Sequence, residues 1–168
     1  MHKIIFLLLT LALAFGCNEP SFKTIGSIQQ LDPSLAQITD TTAPVEIIAE
    51  GFNWTEGPLW VESEKMLLFS DIPPNKIFKW TEAKGAELYL TPSGYTGATP
   101  RTGEPGSNGL LLNKEGKLVM CQHGDRRMAM MDAPLNAPKA LFVSLADNYK
   151  GKKFNSPNDA VFSSNGDL

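Results

Sequence analysis

The chain has 168 residues, of which 42% are hydrophobic and 20% are charged, a composition typical of globular rather than disordered proteins. Its formal net charge is −3, and no run of lysine and arginine alternates with aromatic residues. This pattern argues against nucleic acid as a partner.

Residues 1–16 predict a signal peptide. Lys3 supplies a positive charge, and the apolar run from Ile4 to Phe15 is too short to span a bilayer. The run ends in Gly16-Cys17, which resembles a bacterial lipoprotein signal with Cys17 as the lipidated residue. Because Phe15 is bulky where a small residue is usual, plain secretion and an uncleaved anchor remain as alternatives.

Residues 17–44 are polar and interrupted by prolines, and they predict a tether between the lipid and a folded domain. We therefore expect a periplasmic or outer-membrane lipoprotein that touches the membrane only through its N-terminal lipid. If Cys17 carries lipid, Cys121 has no cysteine left with which to form an internal disulfide.

From residue 45 to 168 the sequence predicts an all-β domain, because short apolar runs alternate with turn residues and no helical period appears. The predicted strands are Val45–Ala49, Pro58–Val61, Met66–Ser70, Lys76–Trp80, Ala86–Leu90, Leu110–Leu112, Leu118–Gln122, Met128–Met131, Lys139–Val143 and Ala160–Phe162.

An internal repeat of about fifty residues organises these strands. The segments that begin at Glu56, Asn108 and Asn158 each open with a polar residue, followed by an apolar strand, a turn and, within the chain, all or part of a second strand. Their starts lie 52 and 50 residues apart. Four strands per repeat of this length is typical of a β-propeller blade. Residues 45–168 would supply about two and a half blades, so we expect the N-terminal part of a longer propeller.

The three repeat openings predict a ring of oxygen donors, because equivalent positions of the inner strands surround the central channel of a propeller. Glu56, Asn108 and Asn158 together offer one carboxylate and two amide oxygens, a set that suits Ca²⁺ better than zinc or copper. The alternative is that each is a turn residue that bonds only its local backbone.

Three segments, "EGPLWVESEKMLLFSDI", "SNGLLLNKEGKLVMCQHGDRR" and "NSPNDAVFSSNGDL", resemble the first blades of the SMP-30/gluconolactonase/LRE-like family. The resemblance implies a six-bladed β-propeller with a divalent cation, usually Ca²⁺, in the central channel. It also implies hydrolysis of sugar lactones or related esters by a full-length protein that we expect to be a monomer.

The family's motifs assign roles to individual residues. The resemblance implies that Glu56 binds the metal and that Asn158 lies at both the metal and the substrate. Some members carry an arginine two residues before that asparagine, where this chain has Ser156. The remaining ligands and the general base would come from later blades.

Two further residues are candidates for the site. Asn108, at the second repeat opening, is expected to bind substrate together with Asn158. His123 is the one histidine after the predicted leader, and we predict a catalytic role for it in proton transfer. The alternative for His123 is a hydrogen-bonded blade corner.

The leading hypothesis is a calcium-dependent lactonase in which the metal polarises the lactone carbonyl. The alternative is a secreted, non-catalytic propeller that binds a glycan, a peptide or a partner protein. A quinone-dependent propeller oxidoreductase finds no support in the sequence.

If Cys17 carries lipid, Cys17→Ser should move the protein from the membrane fraction to the soluble fraction of a bacterial host. Immunoblotting of the separated fractions measures this. An unchanged distribution would favour plain secretion.

Overall fold

A computed structural model describes residues 22–168; the predicted signal peptide and Cys17 lie outside this range. The chain divides into two compact units between Ile48 and Ala49. Within the described range, no helix is long and apolar enough to cross a membrane.

The first unit contains little regular structure. Strand β1 (Lys23–Thr24) pairs antiparallel with β2 (Glu46–Ile47), and a 3-10 helix (Pro33–Gln37) lies between them. Asp32 caps this helix by accepting a 2.8 Å hydrogen bond from the backbone N–H of Ser34. The described part of the predicted 17–44 tether therefore carries a strand and a helical turn.

The second unit contains the remaining strands. They are β3 (Thr55–Val61), β4 (Met66–Asp71), β5 (Lys76–Thr81), β6 (Gly85–Leu90), β7 (Ser107–Leu112), β8 (Leu118–Gln122), β9 (Arg127–Met131), β10 (Phe142–Ala146), β11 (Asn148–Tyr149) and β12 (Lys152–Lys153), with a short 3-10 turn at Glu62–Glu64.

These strands form two four-stranded antiparallel meanders and one short hairpin. Strands β3 to β6 pair in chain order as the first blade, and β7 to β10 pair in chain order as the second blade. Strands β11 and β12 pair only with each other. Antiparallel four-stranded units in succession are blades of a β-propeller, so the predicted all-β fold class is confirmed.

The hairpin turns follow from residues that accept a left-handed backbone. Gly85 joins β5 to β6 with φ +68°, and Gly116 joins β7 to β8 with φ +74°. Asn75 occupies the same region between β4 and β5, with φ +60°. Glycine has no Cβ and asparagine tolerates this region, so these turns close with little strain.

A shared hydrophobic core joins the two blades. In β8, Leu118 and Met120 are fully buried on the face toward the first blade, where they pack with Leu68 and Ile77. Val119 and Cys121 alternate with them and are fully buried on the opposite face. Because a blade lies between two neighbours, both faces of its middle strand are apolar, and each buried large side chain contributes about 1.5–3 kcal/mol.

Of the predicted strands, Val45–Ala49 is shortened to β2 (Glu46–Ile47), and two others differ more from the structure. The strand expected at Lys139–Val143 begins at Phe142 and runs to Ala146, because Phe142 is the residue that pairs with Met131. The strand expected at Ala160–Phe162 is absent, although both of these side chains pack against the second face of the second blade. Apolar packing alone does not make a strand, which also needs a hydrogen-bonded neighbour.

The blades approach most closely where their inner strands begin. Gly57 has φ +57°, and a Cβ on it would overlap the carbonyl oxygen of Asn108 and lie 2.9 Å from Cα of Gly109. The hydroxyl of Ser70 donates a 2.9 Å hydrogen bond to the same Asn108 carbonyl. A side chain at residue 57 would therefore push the two blades apart.

We expect Gly57→Ala to destabilise the full-length protein by about 2–4 kcal/mol, because it adds backbone strain and an overlap with backbone atoms. The matched control is Gly116→Ala, which also requires a positive φ but meets no atom within 4 Å. This control should lower the free energy of unfolding by only about 1–2 kcal/mol. Equal losses in urea unfolding would show that the contact between the blades is not tight.

Candidate functional site

The structure brings the three repeat openings next to one another. Gly57 packs on the backbone of Asn108, and the N–H of Gly109 donates a 2.9 Å hydrogen bond to the carbonyl oxygen of Asn158. A Cβ on Gly109 would lie 3.1 Å from that oxygen. The first two openings thus each use a glycine to approach the next one closely.

The strand register differs by one residue from the alignment of the repeats. Glu56 lies opposite Ser70 before a bulge, and Ser107, rather than Asn108, lies opposite Gln122 before the equivalent bulge. Asn108 therefore lies inside the bulge of β7. Bulges turn a side chain away from the direction that strict alternation would give it.

Glu56 does not cap the turn at which it lies. That task belongs to Asp71, which is buried and accepts backbone hydrogen bonds of 3.1 Å from Asn53 and 2.9 Å from Trp54. The half-buried carboxylate of Glu56 accepts one hydrogen bond, from the Trp54 indole at 3.3 Å. Its second oxygen is bonded to no other described residue, so it can bind a ligand.

Asn108 is buried at the centre of the site. Its amide nitrogen donates to the carbonyl oxygen of Pro157 at 3.3 Å and contacts Nδ1 of His123 at 3.1 Å. Both amide hydrogens are therefore in use. Among the described residues, nothing donates a hydrogen bond to the side-chain oxygen of Asn108, so this oxygen can accept one from a ligand.

His123 lies at the corner after β8, between Asn108 and Glu104. Its Nε2 is 3.8 Å from a carboxylate oxygen of Glu104. One quarter of the His123 side chain is exposed, so a ligand can reach the ring. The two predicted residues Asn108 and His123 thus belong to one site, and Glu104 is a neighbour that the sequence did not indicate.

Glu104 belongs to the long connection between the blades, residues 91–106. Asn75 fixes the first part of this connection: its side-chain oxygen accepts hydrogen bonds from Ser93 at 3.0 Å and Gly94 at 2.7 Å. Thr96 donates a 3.1 Å hydrogen bond to Asp125 in the His123 corner. Connections longer than about 12–15 residues are uncommon and often functional, and this length is the signal that could have indicated Glu104.

Asn158 differs from Asn108 in exposure. Its backbone is anchored to Gly109, while its side chain is exposed. The following residue, Asp159, turns its carboxylate onto the backbone N–H of Ala160 at 2.9 Å. Asn158, unlike Asp159, therefore has a side chain that remains free to bind a ligand.

The donor chemistry suits a hard cation. Within residues 22–168, no three His, Cys, Asp or Glu side chains form a cluster that could hold a metal ion. The free donors at the repeat openings are instead one carboxylate, of Glu56, and the amide oxygens of Asn108 and Asn158. Such oxygen donors suit Ca²⁺ and leave most of its six to eight coordination positions to be filled by other groups.

Cys121 lies beneath the second repeat opening and is fully buried. Burial raises the pKa of its thiol to about 11, and the negative charge of Asp159 acts in the same direction. A neutral buried thiol is a poor nucleophile. Cys121 is therefore a packing residue rather than part of the chemistry.

The comparison with protein families gives one match that covers most of the chain. The SMP-30/gluconolactonase/LRE-like region matches residues 54–168, which contain both blades and all of the candidate site residues.

This chain is also similar to individual proteins of known sequence or structure. A gluconolactonase of Zymomonas mobilis is 42% identical over 151 residues, which are 89% of this chain and 41% of that protein. A crystal structure of a candidate gluconolactonase is 34% identical in sequence and has a TM-score of 0.58. The match covers 71% of this chain and 36% of the chain in that structure. A Xanthomonas campestris gluconolactonase is 28% identical, with a TM-score of 0.55 over 68% and 33% of the two chains. The chain thus spans about 41% of the curated relative.

We expect Cys121 to resist thiol reagents in the folded protein. In the Cys17→Ser variant, Cys121 is the one cysteine left in this chain. Its reaction with a disulfide reagent at about pH 8 should be slow until denaturant is added.

Because the folded thiol holds its proton until about pH 11 and an unfolded one ionises near pH 8.5, the contribution of Cys121 to stability should fall between these values. Unfolding of Cys121→Ala as a function of pH supplies the control. Identical pH dependence in both proteins would contradict the burial argument.

Proposed function

The chain belongs to the SMP-30/gluconolactonase/LRE-like family, and from that membership we propose that the protein is a lactonase that opens sugar lactones or related esters with the help of bound Ca²⁺. One structural observation carries the proposal. The Glu56 carboxylate is free of turn capping, which Asp71 performs, and it lies at a repeat opening that packs directly on Asn108.

Glu56 and Asn158 are the residues of this chain that would hold the cation. Glu56 supplies the single negative charge among the free donors, and the exposed Asn158 side chain supplies a neutral oxygen. A bound divalent cation would contribute Lewis-acid polarisation of the ester carbonyl. Asn108 would contact substrate through its side-chain oxygen, the one hydrogen-bonding group it has left.

His123 would act on the substrate through Nε2. Its Nδ1 is occupied by the Asn108 amide, so Nε2 is the nitrogen that can exchange a hydrogen bond or a proton with a bound ligand. A carboxylate oxygen of Glu104 lies 3.8 Å from Nε2, which is close to this nitrogen but too far for a direct hydrogen bond. These residues would orient the lactone while groups from the rest of the protein activate water.

Hydrolysis of glucono-δ-lactone by the full-length protein tests the proposal. We expect activity that EDTA abolishes and added Ca²⁺ restores, because the oxygen donors of this site need a cation between them and the substrate. Activity that persists after complete removal of divalent cations would contradict the metal mechanism. A protein that hydrolyses no lactone would favour a binding propeller.

Glu56→Gln separates metal binding from turn formation. It removes one negative charge while keeping an acceptor for the Trp54 indole, so we expect at least about a tenfold rise in the Ca²⁺ dissociation constant, most of the activity lost, and unchanged metal-free stability.

The matched control is Glu115→Gln in the exposed turn between β7 and β8, which should leave both Ca²⁺ binding and activity as in the parent. Calcium titration by calorimetry measures the affinities. Parental affinity in Glu56→Gln would show that Glu56 is not a ligand.

A further inference from the structure

We propose that Glu104 and His123 form a hydroxyl-recognition site for polyhydroxylated lactones, with Asn108 as the positioning residue that fixes the tautomer of the imidazole. This inference rests on the proposed lactonase function and adds the residues that would recognise a hydroxyl of the substrate. It assigns to Glu104 a role that the motifs of the sequence do not carry.

The orientation of the Asn108 amide is fixed by a group that can only accept. The carbonyl oxygen of Pro157 lies 3.3 Å from the Asn108 nitrogen, and a carbonyl oxygen facing the amide oxygen would repel it. The NH₂ group must therefore point toward Pro157, and the same NH₂ group faces Nδ1 of His123 at 3.1 Å.

The tautomer of His123 follows from this orientation. An amide NH₂ can only donate, so Nδ1 must accept and carries no hydrogen in this arrangement. The hydrogen of the neutral ring is then on Nε2. Nε2 is the atom that faces Glu104, so a ring donor and a carboxylate acceptor point into the same space.

The distance between these two groups suits an inserted hydroxyl. At 3.8 Å, Nε2 and the carboxylate oxygen are too far apart for a direct hydrogen bond. A hydroxyl oxygen about 2.8 Å from each can accept from Nε2–H and donate to the carboxylate, with an angle of about 90° at the oxygen. The side chains of His123 and Glu104 are 25% and 42% exposed, so a ligand from solvent can enter.

Glu104 is held in place by the segment that carries it. Arg101, three residues earlier, donates to the carbonyl oxygen of Gly124, the residue after His123. Two residues later, Gly106 donates a 3.0 Å hydrogen bond to Ile72 of the first blade. Because the chain is anchored on both sides of Glu104, little backbone entropy would be lost when a hydroxyl binds.

The expected consequence is selectivity for hydroxylated substrates. A site built to bond a hydroxyl discriminates against an analogue that lacks it, because its polar groups are then left without that partner. An unsubstituted lactone has no hydroxyl to place between Glu104 and His123. A polyhydroxylated lactone replaces water between them with its own hydroxyl.

The first experiment reads the tautomer directly. In full-length protein labelled with ¹⁵N-histidine at about pH 8, the ¹⁵N shifts of His123 should show an unprotonated Nδ1 and a protonated Nε2. His123→Gln assigns the signals. A protonated Nδ1 in the unmodified protein would overturn the role of Asn108. Asn108→Asp, which replaces the donor with an acceptor, should place a hydrogen on Nδ1.

The second experiment measures selectivity with two probes, glucono-δ-lactone and unsubstituted δ-valerolactone. Glu104→Ala should lower the ratio of the glucono-δ-lactone to the δ-valerolactone kcat/KM at least about tenfold, because only the first substrate loses a hydroxyl partner. The control Glu115→Ala removes an exposed glutamate from the turn after β7 and should leave the ratio unchanged. An unchanged ratio in Glu104→Ala, or an equal loss for both lactones, would overturn the proposal.

A third measurement separates this inference from the proposed function. If the protein hydrolyses neither lactone, the lactonase proposal fails, and the polyol D-glucitol then serves as the probe. Titration with it should shift the Nε2 signal of His123 in the parent protein and leave Glu104→Ala unaffected. No shift in the parent, or the same shift in both proteins, would overturn the hydroxyl site.

Discussion

The close backbone contact between successive inner strands is the constraint on which the rest of the structure depends. Gly57 lies against the carbonyl of Asn108, and Gly109 lies against the carbonyl of Asn158. Since neither glycine carries a Cβ, the polar openings of adjacent repeats can meet without a layer of side chains between them. The apolar interface between the blades, built around Leu68 and Met120, closes behind this contact.

The same contact connects the packing of the repeats to the state of the candidate site. The hydrogen bond from Gly109 to Asn158 places the preceding residue, Pro157, beside Asn108. Pro157 then orients the Asn108 amide, and that amide determines which nitrogen of His123 carries its hydrogen. The position of the third repeat opening thus affects the tautomer of His123 through the Pro157 carbonyl and the Asn108 amide.

Sequence reasoning succeeded where the information is local. The glycines at residues 85 and 116 mark real hairpin turns, and the continuous apolar run from Leu118 to Cys121 reflects two buried faces. It failed by one residue at the second opening, where Ser107 rather than Asn108 occupies the ladder position of Glu56. A bulge shifts pairing without changing the apolar pattern, so an alignment of repeats cannot detect it.

The sequence by itself determined the all-β class and the fifty-residue repeat, because turn chemistry and strand alternation depend on neighbouring residues. It also predicted the oxygen-donating set Glu56, Asn108 and Asn158. Only the tertiary structure placed Glu104 beside His123 and gave the turn-capping role to Asp71. These pairings join residues 17 to 19 positions apart across strand ends and an irregular connection. The path of such a connection is set by hydrogen bonds to residues distant in the sequence, such as the one between Gly94 and Asn75. A periodic pattern of apolar residues does not predict these bonds.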